Sequence, residues 1–479
     1  MTVLMAVVAL IISTLCAVGN AIPTITAVGS KFFTSDGNQF FIKGVAYQLV
    51  EDDPLANPTQ CQLDAALMKT LGANSIRVYH VDASADHSGC MNAFANNGIY
   101  IWVDMDSFKT YIQLAGVPSW TTNKSDSYRA VMDNFQQYDN LAGLFVGNEV
   151  LNTDADSGAA PYLLSAAVDL KTYRDAKGYR KIPIGYSATD TAVLRPMLQD
   201  YLVCRPNATE RMDFYALNSY EWCGSSPTYN TSGYVALQAD AENYPIPIFF
   251  SEDGCNTVPP RTFNDQAAIF GPDMVNTWSG AIIYEWIQET NEYGLVSYGA
   301  QVAATVEVGS SIVDGFTRQG TPTPVQPDFS NLASQWATLT PTGVQSSAYA
   351  ATFSASTPAC PTSTAGGWTA DPSAALPTIG AAGVSPGMPS GVPTGSITVM
   401  SSSSQTSSTY SSTVTSSGST AHTTSGSSSS STSSGAASSA THKAAAGRVV
   451  PSSPGSEIMS LMGTATALIA VGAGVVFWL

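Results

Sequence analysis

Positive charge is scarce in this chain. Of 479 residues only 19 are Lys or Arg, against 36 Asp or Glu, and the formal net charge is −17. Such a chain repels a phosphate backbone, which argues against nucleic acid as a partner. Four histidines are present, and no Cys-x-x-Cys comes with partner histidines, so zinc is not expected and no metal or cofactor is implied. Long apolar runs are confined to the two ends, and basic residues are missing on the outer side of both.

The first run, Val3 to Val18, is too short to span a bilayer comfortably and closes on the small residues Gly19-Asn20-Ala21. Residues 1–21 therefore read as a signal peptide, with a buried N-terminal helix as the alternative. The second run, Ile458 to Leu479, follows a polar spacer and the small residues Ala444-Ala445-Ala446-Gly447. Small site, spacer and apolar tail are the layout of a glycosylphosphatidylinositol (GPI) anchor signal. Ala445, Ala446 and Gly447 are the candidate attachment sites. A retained membrane span is the alternative, but it usually carries a basic stop, and none follows Leu479. The expected location is the outer face of the plasma membrane or the cell wall.

An exported chain folds in an oxidising compartment. Cys16 leaves with the signal, and the remaining Cys61, Cys90, Cys204, Cys223, Cys255 and Cys360 make an even set suited to full pairing. Glycosylation sequons at Asn123, Asn207 and Asn230 fit the same compartment. Composition divides what is left. Residues 22–315 and 316–380 mix apolar runs, aromatics and turns; residues 381–455 are rich in Ser and Thr and cannot bury enough apolar surface to order themselves. The expected order is a catalytic domain (22–315), an extension packed on it (316–380), a disordered Ser/Thr stalk (381–455) and the apolar tail (456–479).

Eight short β-branched runs recur in the first part, beginning at Phe40, Ser75, Tyr100, Gly143, Ile182, Phe214, Ile246 and Gly280. Amphipathic stretches such as Gln62 to Leu71 and Ser165 to Asp175 fall between them. Apolar strands alternating with helices imply a covered parallel sheet, and eight units over this length imply an α/β fold, the (β/α)8 TIM barrel. Pro183, Pro245 and Pro247 then belong at strand beginnings. The strands start apolar and end polar, so Tyr79, Asp104, Asn148-Glu149, Asn218-Ser219-Tyr220, Glu252 and Tyr284-Glu285 gather at one mouth.

Glycosidic bond chemistry commonly uses two carboxyl groups flanking the bond, one to protonate the leaving oxygen and one to attack or to activate water. Glu149 ends the fourth strand and Glu252 the seventh. Set roughly 5–5.5 Å apart across one ring, such a pair works by double displacement with retention. Asn148 is placed to hydrogen-bond a sugar 2-hydroxyl. Like charges in one groove disfavour double ionisation, so Glu149 is expected protonated and Glu252 ionised.

Gly147-Asn148-Glu149-Val150 and Phe249-Phe250-Ser251-Glu252-Asp253-Gly254-Cys255 resemble motifs of glycoside hydrolase family 72, enzymes of fungal cell walls. So do Lys43-Gly44-Val45-Ala46-Tyr47-Gln48, Ile76-Arg77-Val78-Tyr79, Asn218-Ser219-Tyr220-Glu221-Trp222-Cys223 and Tyr284-Glu285-Trp286. The likeness runs from about Phe32 to Asp371, without a second cysteine-rich carbohydrate-binding module after Cys360. Members are GPI-anchored β-1,3-glucanosyltransferases, which cut β-1,3-glucan and pass the new reducing end to another chain. The resemblance implies Glu149 as acid/base and Glu252 as nucleophile. It implies Tyr79, Asn148 and Tyr284 as donor-binding and Asp190 and Arg195 as acceptor-binding, with Gln48, Asp104, Tyr220 and Tyr293 as further lining residues. It also implies the pairs Cys61–Cys90, Cys204–Cys360 and Cys223–Cys255, and a monomer acting on β-1,3-glucan as both donor and acceptor. The rival readings are a β-1,3-glucan hydrolase and a non-catalytic glucan-binding wall protein.

Overall fold

The computed structural model describes residues 22–112, 117–306, 308–309 and 311–381. The expected signal peptide, nearly all of the expected stalk, the tail and the anchor candidates Ala445, Ala446 and Gly447 lie outside the described residues. Among the described residues no helix is long and apolar enough to cross a membrane.

A hairpin of β1 (Ile25–Val28) and β2 (Lys31–Thr34) precedes eight parallel strands that close into a barrel. These are β3 (Ile42–Ala46), β4 (Ser75–Val78), β5 (Tyr100–Asp104), β6 (Leu141–Asn148), β7 (Ile184–Thr189), β8 (Phe214–Ser219), β9 (Ile248–Asp253) and β10 (Trp278–Ile283). The crossover helices are α1 (Pro58–Leu71), α2 (Ser88–Asn96), α3 (Thr122–Phe135), α4 (Ala160–Ala176), α5 (Arg195–Tyr201), α6 (Tyr234–Ala241) and α7 (Asp265–Ile269). Barrel strands are buried throughout apart from Lys43 and Asn148, which explains their near-continuous apolar runs.

Element ends follow local chemistry. Helix α1 begins four residues before the amphipathic stretch because Asn57 caps it, accepting from the Gln60 N–H at 3.2 Å, and Pro58 fills the first turn. Gly72 ends it at φ 90°. Pro183 and Pro247 sit just before β7 and β9. Their carbonyls accept from the N–H groups of Leu144 and Tyr215 at 2.9 and 3.0 Å, so neither position needs the N–H that proline lacks. Strand β10 stops at Ile283 rather than Glu285, since the Glu285 N–H turns away to the Tyr293 carbonyl.

The hairpin plugs one end of the barrel. Phe32 stands edge-on to Trp102, Phe214 and Phe249, with ring centroids 5.1, 6.0 and 5.9 Å away. Phe145 completes this aromatic floor, 5.1 Å from Phe214. After β10 the chain wraps the outside. A small hairpin pairs Ile312–Val313 with Phe316–Thr317, so the boundary expected at 315/316 falls inside its turn. Helix α8 (Asp328–Thr338) is fastened by Lys43, whose ammonium donates to the Trp336 and Leu339 carbonyls at 2.8 and 2.7 Å. Helix α9 (Ser346–Thr352) lies beside the hairpin, where Tyr349 meets the Ser30 hydroxyl at 2.8 Å. Cys204–Cys360 then ties the chain to the far side, and Arg205 donates to the Pro372 and Ala374 carbonyls at 2.6 Å.

Candidate active site

One buried arginine organises the mouth. Arg77, on β4, has no solvent exposure. Its guanidinium grips Asp104 at two points, 3.0 and 2.7 Å, and donates to Asn148 Oδ1 at 3.0 Å and to Glu252 Oε1 at 3.4 Å. Below, it stacks on the Phe145 ring at 4.6 Å, so it joins the aromatic floor to the polar mouth. Asp104 is therefore the counter-charge that lets an arginine sit inside a barrel, not an exposed lining group.

Both candidate carboxylates emerge at irregularities in the ladder. Between Phe145 and Asn148, β6 carries one residue more than β7 opposite it. Between Phe250 and Glu252, β9 likewise carries one more than β8. Bulges of this kind re-aim side chains next to sites of chemistry. Glu149 also adopts φ 46°, a left-handed conformation that costs a non-glycine residue about 1–3 kcal/mol.

Asn218 connects the pair. Its Nδ2 donates to Glu149 Oε1 at 3.0 Å and to Asn148 Oδ1 at 3.0 Å, while its Oδ1 faces the Arg77 guanidinium that reaches Glu252. Ser187 and Ser251 also donate to that oxygen, at 3.0 and 2.9 Å. Asn148 Oδ1 accepts from Arg77 and Asn218 and lies 2.8 Å from the Ser187 hydroxyl, so its oxygen is engaged within the protein.

The two carboxyls differ in their surroundings. Glu252 is fully covered: Tyr79 donates to Oε1 at 3.0 Å and Tyr220 to Oε2 at 2.6 Å. Burial raises its pKa, and Arg77 with the two hydroxyls opposes the rise. Glu149 is partly exposed, and among the described residues Asn218 is its single side-chain donor. Burial, and then the charge of Glu252, push it up to about 8. Fewer groups thus hold the carboxylate form at Glu149 than at Glu252.

The other expected residues fall into two groups. Tyr220, Tyr284 and Tyr293 form an edge-to-face trio, centroids 5.4–6.2 Å apart, beside Glu252. Cys223–Cys255 joins the loop after β8, which carries Tyr220, to the loop after β9, and Cys61–Cys90 clips α1 to α2. Asp190 and Arg195 are paired with each other and make a separate cluster on the β7 side of the mouth. Ser219 donates to Asp190 at 2.9 Å, and Arg195 Nε donates to Asp240 at 2.9 Å. Gln48 is a brace: it accepts from the Tyr79 N–H at 2.9 Å and donates to the Val50 carbonyl at 2.7 Å. Asn218 sits at the mouth as its strand-end position implies, whereas Arg77, Ser187 and Ser251 are site residues that the strand ends do not mark. An arginine inside an otherwise apolar strand was the available signal for Arg77. Among the described residues no group of three or more His, Cys, Asp or Glu could hold a metal ion. Asn123, Asn207 and Asn230 are all exposed.

Comparison with known proteins agrees with this geometry. The profile of glycoside hydrolase family 72, described as glucanosyltransferase, matches residues 14–308. The chain is 43% identical over 337 residues to the 1,3-beta-glucanosyltransferase gas2 of Schizosaccharomyces pombe, covering 66% of this chain and 68% of that one. It is 38% identical over 344 residues to the 1,3-beta-glucanosyltransferase GAS2 of Saccharomyces cerevisiae, covering 68% of this chain but 58% of the relative. Against the 1,3-beta-glucanosyltransferase PGA5 of Candida albicans it spans 46% of the relative's length. The solved structure of Saccharomyces cerevisiae Gas2p, a glutamate-to-glutamine variant in complex with laminaritetraose and laminaripentaose, superposes with a TM-score of 0.65 at 38% identity, covering 74% of this chain and 75% of that one. Sequence and fold together make this chain a member of glycoside hydrolase family 72, the glucanosyltransferase family.

Proposed function

We propose that this chain is a retaining β-1,3-glucanosyltransferase that cuts a β-1,3-glucan donor and passes the new reducing end to a second glucan. The observation that carries the reading is the pair Glu149 and Glu252, linked through Asn218 and Arg77, with more donors on the Glu252 carboxylate than on that of Glu149.

Glu149 is the acid/base and Glu252 the nucleophile. In the first step a Glu252 oxygen bonds to the anomeric carbon. The glycosidic bond breaks, and its oxygen leaves with the proton of Glu149. Tyr220 takes one lone-pair direction of Glu252 Oε2, which leaves the other for the anomeric carbon. In the second step Glu149, now a carboxylate, takes a proton from an acceptor hydroxyl that displaces Glu252 with a second inversion. Asn148 offers its NH2 to the donor 2-hydroxyl, and Tyr79 and Tyr284 line the donor side. Asp190 and Arg195 are assigned to acceptor binding, where good occupancy by glucan keeps water from taking the intermediate.

Exposed sequons, three closed disulfides and the two apolar ends support export and GPI anchoring at the cell surface, with the barrel working as a monomer. The test is incubation of the soluble enzyme with a reduced β-1,3-oligosaccharide. Products longer than the substrate are expected; shorter products alone would leave a hydrolase, and none at all a glucan-binding protein.

A further inference from the structure

Glu149 stands on a turn that its own strand does not hold. The residue has left-handed backbone, the ladder is irregular just before it, and three successive N–H groups follow, from Glu149, Val150 and Leu151. The first donates to the Ser187 carbonyl at 2.9 Å. The other two lie past Asn148, the last residue of β6 in register with β7. Both point to a single side-chain atom, the Tyr186 hydroxyl, at 2.7 and 3.4 Å.

Tyr186 is well placed to be rigid. Ser187 faces the barrel interior, so Tyr186, one residue before it on β7, faces the layer between barrel and helices, where it is fully buried. A Cβ on Gly147 would come within 3.8 Å of its ring and 3.1 Å of Val150, so ring and turn are packed against each other. The hydroxyl acts as a fixed acceptor for a strained piece of backbone.

We infer that Tyr186 is a positioning residue for general acid/base catalysis: its hydroxyl locks the turn that holds the Glu149 carboxyl over the leaving oxygen. The inference rests on the assignment of Glu149 as acid/base. It assigns no contact between Tyr186 and the sugar, so donor affinity lies outside its reach.

The test is Tyr186→Phe, which keeps the ring and removes the acceptor. Two donors separate the roles: a β-1,3-glucan oligosaccharide, whose leaving oxygen needs a proton, and the corresponding β-glycosyl fluoride, whose fluoride leaves with the bonding pair and needs none. On the oligosaccharide, kcat should fall on the order of tenfold to a hundredfold with KM unchanged. The basic limb of the pH profile should move to lower pH, as a loosened Glu149 gains water and its pKa falls. The burst of fluoride release, which reports attack by Glu252 alone, should stay within about threefold of wild type. Equal loss on both donors would make Tyr186 merely structural and overturn the inference, as would unchanged kcat and pH profile on the oligosaccharide. If Phe is not tolerated at 186, Gly147→Ala presses on the same turn from the other side, and the same split between donors decides. Wild type inert toward both donors would instead defeat the functional reading itself.

Discussion

The two ends of the barrel are built from the same strands and do opposite things. At the hairpin end, Trp102, Phe145, Phe214 and Phe249 meet Phe32 in a dry aromatic floor. At the other end the strands run out into Asn148, Asn218 and Glu252, held by hydrogen bonds in which nearly every oxygen has an assigned donor. The floor is held by apolar contact, its edge-on ring pairs contributing about 0.5–1.5 kcal/mol each. The mouth is directional and carries unfavourable terms: a left-handed glutamate, a buried arginine, and two acids near enough to perturb each other. Stability is thus concentrated at one end and chemistry at the other, with Arg77 as the joint.

That division can be broken from either end. The largest effect is expected at Glu252→Gln, which should cut transfer and hydrolysis by roughly a thousandfold or more while the melting temperature stays at or above wild type. A matching fall in melting temperature would show that the mouth carries the fold as well. Phe32→Ala is the mirror experiment. Emptying the floor should cost about 3–5 kcal/mol in denaturant unfolding yet leave turnover per folded molecule unchanged; a slowed folded fraction would mean the floor tunes the chemistry.

Glu149 sharpens the contrast through pH. Its pKa is raised from 4.5 to about 8, so its contribution to stability is complete below pH 4.5 and is lost as pH rises through 8. Glu149→Gln does not titrate, so its melting temperature should gain on wild type across that window, by a few degrees at alkaline pH, with no gain near pH 4. In wild type the activity against glucan should fall on the alkaline side near pH 8, as the acid loses its proton. The smallest effect is expected at Arg195→Lys. An ammonium cannot replace the fork that joins Asp190 to Asp240, so the ratio of transfer to hydrolysis should drop about threefold while donor cleavage holds. An unchanged ratio would remove this cluster from acceptor binding.

Much of this was legible in the residues, and the limits have physical causes. Eight apolar runs ending in polar residues imply a closed parallel sheet with one functional mouth, since buried strands leave a period too plain to miss. Glu149 and Glu252 stand out because carboxyls at strand ends are costly without a purpose. The bulges that aim them leave no mark: an extra residue in β6 or β9 is an ordinary residue out of register. Asp104 and Gln48 show the opposite problem. Both are polar residues near strand ends, and only the contacts reveal that one serves Arg77 and the other supports the backbone at Tyr79. Helix α1 was read short because its first turn is polar and is set by a cap rather than by apolar spacing.

The wrap of residues 316–380 around the barrel has a consequence for how the molecule comes into being. Ser30 finds Tyr349, 319 positions later, and Asn38 finds Gln345, 307 positions later. The hairpin that closes the floor is thus among the first segments made and among the last to be secured. Contacts this distant in sequence make for slow assembly, so a chain emerging from a ribosome or a translocation pore holds an unsealed base until almost the whole body has been delivered. Chaperone dependence should track the arrival of residues 316–380 rather than completion of the eighth strand.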